Sequence, residues 1–69
     1  MSICQGKYSW PELVGVSGEV AVKVIEKENS LVTAFILPIN QPVGGPFFCN
    51  RVRVFVDADG IVVVVPVIG

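Results

Sequence analysis

Between the strand-like stretches at residues 31–37 and 51–57 runs a connection, residues 38–50, that no tight hairpin can accommodate. It holds 13 residues, among them three prolines and two adjacent glycines. Antiparallel neighbours are usually joined by about two to five residues, whereas parallel neighbours need a crossover of about a dozen or more. A long connection without structure of its own is also a common sign of a functional segment. The spacing predicts that the two strands run parallel and that the loop returns across the length of the sheet.

What surrounds the loop is one small domain spanning residues 1–69, 52% hydrophobic and 16% charged. Disordered chains are charge-rich and poor in β-branched residues, so this chain folds. Residues 1–16 mix Gly6, Pro11 and Gly15 with Trp10, Leu13 and Val14 and read as an irregular arm with an apolar anchor. In "SGEVAVKVIEKENS" Ser17 is suited to cap a helix, and Glu19 falls in its first turn, where the helix dipole favours a negative charge. Val20, Ala21, Val24 and Ile25 form one apolar stripe, opposite Lys23, Glu26 and Lys27, and Asn29 is a fitting stop. One helix over residues 17–29 is expected.

The strand at 31–37 is apolar on both faces, which predicts a central, buried position. In "RVRVFVD" Val52, Val54 and Val56 face one way, and Arg51, Arg53 and Phe55 the other. "DADG" then turns the chain into "IVVVVPV", a returning strand over 61–67 that pairs antiparallel with 51–57. That neutral β-branched run also predicts self-association through its edge. The fold class is α+β: a single helix packed on a small mixed β-sheet beneath a long exposed loop.

Several functions are excluded early. The chain has no His, so neither a Ser–His pair nor an imidazole metal site can be assembled. Glu12, Glu19, Glu26, Glu28, Asp57 and Asp59 read mostly as solvated surface, and "GGPFF" lacks the Lys, Ser or Thr of a phosphate-binding loop. No catalytic residue, metal or cofactor is expected. A net charge of −1 supplies no field for nucleic acid or an anionic membrane. No stretch reaches the roughly 18 apolar residues of a membrane helix. "MSICQGK" has neither the basic start nor the apolar stretch of a signal peptide; synthesis in the cytosol and a removed presequence both fit.

Two features stay open on the residues alone. Cys4 and Cys49 are either two buried thiols or one disulfide. Arg51 and Arg53 are either solvated side chains or donors of charge-assisted hydrogen bonds to the carbonyls or side chains of the overlying loop, holding it extended.

"CQGKYSWPELVG", "VIEKEN", "CNRVRVFVD" and the final "PVIG" together resemble the potato inhibitor I family of serine-protease inhibitors, over the whole chain and without evident insertion. The resemblance implies a loop that enters a protease active site as a substrate would and is cleaved very slowly. It implies that Cys4 and Cys49 are bridged, which favours a secreted, vacuolar or seed-stored protein, and that Arg51 and Arg53 brace the loop.

The loop departs from the family pattern, which usually reads Pro-Val-Thr, the specificity residue, an acid, an apolar residue and often Arg before the cysteine. The reactive segment here is Val43, Gly44, Gly45, Pro46 and Phe47, so the specificity residue falls on Gly45 and the acid on Pro46, while Phe48 replaces the arginine. The expected partners are accordingly subtilisin-, elastase- or chymotrypsin-like proteases more than trypsin. The alternatives are a scaffold of the same fold that has lost inhibition, naturally or by loop engineering, and a binding module that uses Phe47 and Phe48 as an anchor.

Overall fold

A computed structural model of the chain describes residues 4–69; the first three residues of the expected arm lie outside the described part. Five elements follow in order: a 3-10 turn at Pro11–Leu13, helix α1 at Gly18–Glu28, and strands β1 at Thr33–Pro38, β2 at Arg51–Val56 and β3 at Val67–Ile68. The helix lies within the expected span because Ser17 and Asn29 are its caps. The Ser17 hydroxyl accepts the N–H of Val20 at 3.3 Å, and the Asn29 N–H closes the last turn on the Ile25 carbonyl at 2.9 Å. Ala21 and Ile25 are buried and Val24 packs at the core's edge, whereas Val20 stays 49% exposed, so the apolar stripe is narrower than its spacing implied.

β1 and β2 pair in parallel, Thr33 opposite Arg51 through Pro38 opposite Val56, as the length of the connection required. The alternation of β2 holds as well: Val52, Val54 and Val56 are buried, and Arg51, Arg53 and Phe55 sit half-exposed on the other face.

Two expectations are corrected. The sheet order is β1-β2-β3, so β2 is the central strand and β1 an edge. Of β1 only Ala34 is buried, and Phe35 and Ile36 stand exposed. The edge is blunted rather than covered, since the Glu26 carboxylate of α1 accepts the Ala34 N–H at 2.9 Å and Pro38 has no N–H to offer.

The second correction concerns the returning strand. Val62 makes an isolated bridge to Val56, the chain then leaves the ladder, and β3 is only Val67–Ile68, antiparallel to Val52 and Arg53. The N-terminal arm takes the groups that a continuous strand would have used. Gly15 donates to the Val62 carbonyl at 2.8 Å, Trp10 to that of Pro66 at 3.0 Å, and Ser9 bridges Val67. Pro66, which has no N–H to donate, is fully buried at the point where the ladder is interrupted.

The arm is tied down at two places. Trp10 is 0% exposed in the core with Ile25, Val52, Val54 and Val62, and its indole N–H donates to Glu28 at 2.9 Å. Burying a side chain of that size is worth roughly 4–6 kcal/mol by area. Asn29, 4% exposed, does more than end the helix: its amide nitrogen donates to the carbonyls of Gln5 and Lys7 at 3.0 and 2.9 Å, and its oxygen accepts the Leu31 N–H at 3.0 Å. Gly6 lies between those carbonyls with φ +80, and a Cβ there would come within 2.9 Å of the Asn29 amide nitrogen.

Candidate functional site

Residues 39–50 leave the end of β1 and cross back to the start of β2, which is what a parallel pair demands of its connection. Main-chain bonds pin both ends of this loop: Ile39 donates to the Val56 carbonyl at 2.9 Å, and Thr33 to that of Asn50 at 2.9 Å. Between these anchors the loop is exposed, with Val43 at 45%, Phe47 at 60% and Phe48 at 44%. Nothing lies within 4 Å of where a Cβ would stand on Gly44 or Gly45, and Gly45 has φ +93. Any side chain at Gly45 would be free in space but strained in backbone.

Two arginines reach this segment from β2. Because strand residues two apart share a face, Arg51 and Arg53 project together from the side opposite the helix. The Arg51 guanidinium donates to the carbonyls of Pro46 at 2.8 Å and Gly69 at 2.7 Å, and its plane lies 4.8 Å from the Phe48 ring. Arg53 donates to the Gly44 carbonyl at 3.0 Å. Gly69 is itself held by donating to the Arg51 carbonyl at 3.0 Å, and its Cα region faces the Phe47 ring.

Cys4 and Cys49 are disulfide-bonded, with Cα atoms 5.2 Å apart, which clamps the arm to the loop's C-terminal root. Among the described residues no cluster of three or more His, Cys, Asp or Glu side chains could hold a metal, and no helix is long and apolar enough to cross a membrane.

All the residues expected at the site gather here: Val43, Gly44, Gly45, Pro46 and Phe47 on the loop, Arg51 and Arg53 beneath it, and Cys4–Cys49 at its root. Of the loop carbonyls or side chains expected to accept from the arginines, the acceptors are the main-chain carbonyls of Gly44 and Pro46. Two features escaped the sequence reading: the Phe48 ring lies 4.8 Å from the Arg51 guanidinium, and Gly69 is part of the brace. Only the Arg–Phe pairing had a local signal, in the closeness of the two residues along the chain.

The scaffold is thus a single helix on a small sheet, with a disulfide at the root of a long, exposed loop that two arginines tether. The sequence profile of the Potato inhibitor I family matches residues 3–69. The Glu S.griseus protease inhibitor of Momordica charantia is 53% identical over 68 residues, 99% of this chain and 100% of the relative. The inhibitor of trypsin and hageman factor of Cucurbita maxima is also 53% identical, with the same coverage of both chains. The crystal structure of bitter gourd trypsin inhibitor superposes with a TM-score of 0.93 at 50% identity, covering 99% of this chain and 100% of that one. The chain belongs to the potato inhibitor I family, which is made up of protease inhibitors and not of enzymes.

Proposed function

We propose that this chain inhibits serine proteases by offering residues 43–47 as a substrate-like segment, with a preference for enzymes other than trypsin. The observation that carries the reading is the pair of arginine bonds to the Gly44 and Pro46 carbonyls, at 3.0 and 2.8 Å, on either side of Gly45. A segment fixed before encounter avoids the ordering cost that a flexible peptide pays on binding. Hydrogen bonds from a charged donor contribute about 1.5–3 kcal/mol each, enough to offset the roughly 1 kcal/mol of extra backbone freedom that each of two glycines adds.

The preference follows from what the loop lacks. Trypsin's primary pocket carries an aspartate and takes Lys or Arg, and residues 43–48 contain neither. Without an acid at Pro46 the guanidinium of Arg51 has no carboxylate partner on the loop. Proteases of the subtilisin, elastase and chymotrypsin types are the better targets. Inhibition constants measured against one enzyme of each type and against trypsin test the reading: the first group should show tighter inhibition than trypsin, and nanomolar inhibition of trypsin would refute the preference.

The second reading, a scaffold that binds no protease, has one observation in its favour. Gly45, where the family's specificity residue aligns, carries no side chain and has φ +93. An absence of inhibition across the whole panel would select it.

A further inference from the structure

Resting on that inhibitor reading, we infer that Phe48 is a positioning residue of the loop: the face of its ring fixes the Arg51 guanidinium in the orientation that reaches the Pro46 and Gly69 carbonyls together. The local chain aims the ring. Arg51 donates its main-chain N–H to the Phe48 carbonyl at 3.4 Å, closing a four-residue turn through Cys49 and Asn50. Such a turn brings its first and last Cα atoms within about 7 Å of each other. Both central residues of the turn are anchored, Cys49 by its disulfide to Cys4 and Asn50 by the Thr33 N–H that its carbonyl accepts at 2.9 Å. The ring therefore stands on a fixed base, and the guanidinium carbon of Arg51 lies 4.8 Å from its centroid.

Arg51 needs such a partner. Its Nε donates to the Gly69 carbonyl at 2.7 Å and a terminal nitrogen to that of Pro46 at 2.8 Å, so turning the guanidinium breaks one bond or both. A carboxylate gripping the fork would prevent that rotation. Among the described residues, however, the ion pairs are those of Lys7 with Glu12 and Glu28, and no Asp or Glu side chain pairs with Arg51. An aromatic face does the same work by other means. Its negative potential attracts a cation within about 6 Å of the ring centroid, and the planar guanidinium is suited to stacking on it.

Phe48 is placed to serve the brace rather than the core. Its ring is 44% exposed and lies outside the buried cluster; with Thr33, Phe35 and Arg51 it lines an open hollow on the sheet face away from the helix. Losing the ring face should therefore loosen Arg51, and through it the Pro46 carbonyl, while the fold beneath persists.

The test measures inhibition constants and loop-cleavage rates for Phe48→Leu, Phe48→Tyr and Arg51→Ala, singly and combined, against the serine protease that the intact protein inhibits most tightly. It also follows exchange of the Arg51 Nε–H with solvent by NMR in the free protein. Phe48→Leu keeps an apolar side chain but has no ring face. It should weaken inhibition about three- to tenfold, speed cleavage and hasten the Nε–H exchange. Phe48→Tyr keeps the ring and should behave as the intact protein in all three. In the Arg51→Ala background Phe48→Leu should have no further effect. With Pro46→Asp in place, which offers Arg51 a carboxylate, its cost should shrink to within about twofold. A Phe48→Leu loss that persists without Arg51 would make Phe48 a direct contact of the protease and overturn the inference. Unchanged Nε–H exchange in Phe48→Leu, or a Phe48→Tyr no better than Phe48→Leu, would overturn it too. If no protease is inhibited, the inhibitor reading falls, and the exchange rates decide the positioning role on their own.

Discussion

Arg51 and Pro46 meet through a main-chain carbonyl, 2.8 Å from the guanidinium, so the tether does not depend on any side chain of the loop. The same guanidinium reaches Gly69 at 2.7 Å and thereby spans the loop and the end of the sheet. Arg51→Ala removes both bonds and the stacking partner of Phe48. Affinity for a susceptible protease should fall by about one to three decades, and the loop should be cleaved faster. Arg53→Ala, which loses a single bond to Gly44, should do less. Slow-binding inhibition assays paired with timed cleavage measurements check both; equal effects from the two variants would contradict this division of labour.

Placing the family's residues in the loop tests its register from the other side. Gly44→Thr, Gly45→Lys and Pro46→Asp together supply a basic specificity residue, remove the proline and give Arg51 a carboxylate. Trypsin inhibition should improve by about two to four decades, which corresponds to roughly 3–5 kcal/mol. Adding Arg51→Ala to that background should weaken it again. A triple variant no better than the original against trypsin would count against the alignment of the loop with the family pattern.

Reducing Cys4–Cys49, or replacing both by Ser, removes a cross-link between positions 45 apart. The chain-entropy relation gives such a link about 4 kcal/mol, a large share of the stability of a domain this size. Chemical denaturation should show that loss, and the reduced protein should turn from inhibitor towards substrate because the severed end is no longer anchored. Unchanged stability on reduction would refute the prediction.

Asn29→Ala should destabilise the protein by about 2–4 kcal/mol, since it leaves the Gln5 and Lys7 carbonyls and the Leu31 N–H without their buried partner. Gly6→Ala should also destabilise, through crowding against the same amide and through its positive φ. In the double variant part of the cost should vanish, because the crowding disappears with the Asn side chain. Unfolding free energies of the two singles and the double decide this, and strict additivity would show that the contact is not shared.

Lys7 lies between Glu12 and Glu28, and these side-chain hydrogen bonds, the one to Glu12 foremost, raise its pKa above the ordinary 10.5. The hydrogen bond from Lys7 likewise lowers Glu12 below its ordinary 4.5. A depressed carboxylate stabilises the fold above its unfolded pKa and loses that contribution as acid protonates it. A raised amine stabilises below its unfolded pKa and loses it as alkali deprotonates the folded form. The contribution is thus greatest between about pH 5 and 10 and fades on both sides. Lys7→Met should flatten both limbs of a melting-temperature profile against pH; unchanged limbs would show that other groups govern them.

How much of this was readable from the chain depended on whether neighbours along the sequence were also neighbours in space. The helix caps, the β2 alternation and the parallel pairing were legible, since each follows from local spacing or from the length of one connection. The edge position of β1 was not, because an exposed Phe35 and a buried one look alike until the strand order is known. The interrupted strand after Ile61 was missed for a related reason. Its outer hydrogen bonds are taken by Trp10 and Gly15, about fifty residues earlier. At the loop, Arg51 and Arg53 were recognisable as donors to its carbonyls or side chains, whereas which carbonyls they reach was hidden because main-chain carbonyls have no signature in a sequence.

The parallel register of β1 and β2 also decides what becomes of the molecule once its loop is cut. Every rung from Thr33–Arg51 to Pro38–Val56 joins a residue before the loop to one after it. The helix and Trp10 belong to the first piece, Val52, Val54 and Val62 to the second, and the core is shared between them. A nicked protein is therefore a two-fragment complex, zipped along its sheet and cross-linked at Cys4–Cys49, that keeps the size and outline of the parent. Gel filtration would not distinguish it from the intact chain; separating the pieces takes denaturant and a reductant together. The same division makes the loop a natural place to split the gene, so that two separately expressed halves report, by regaining a shared core, that they have been brought together.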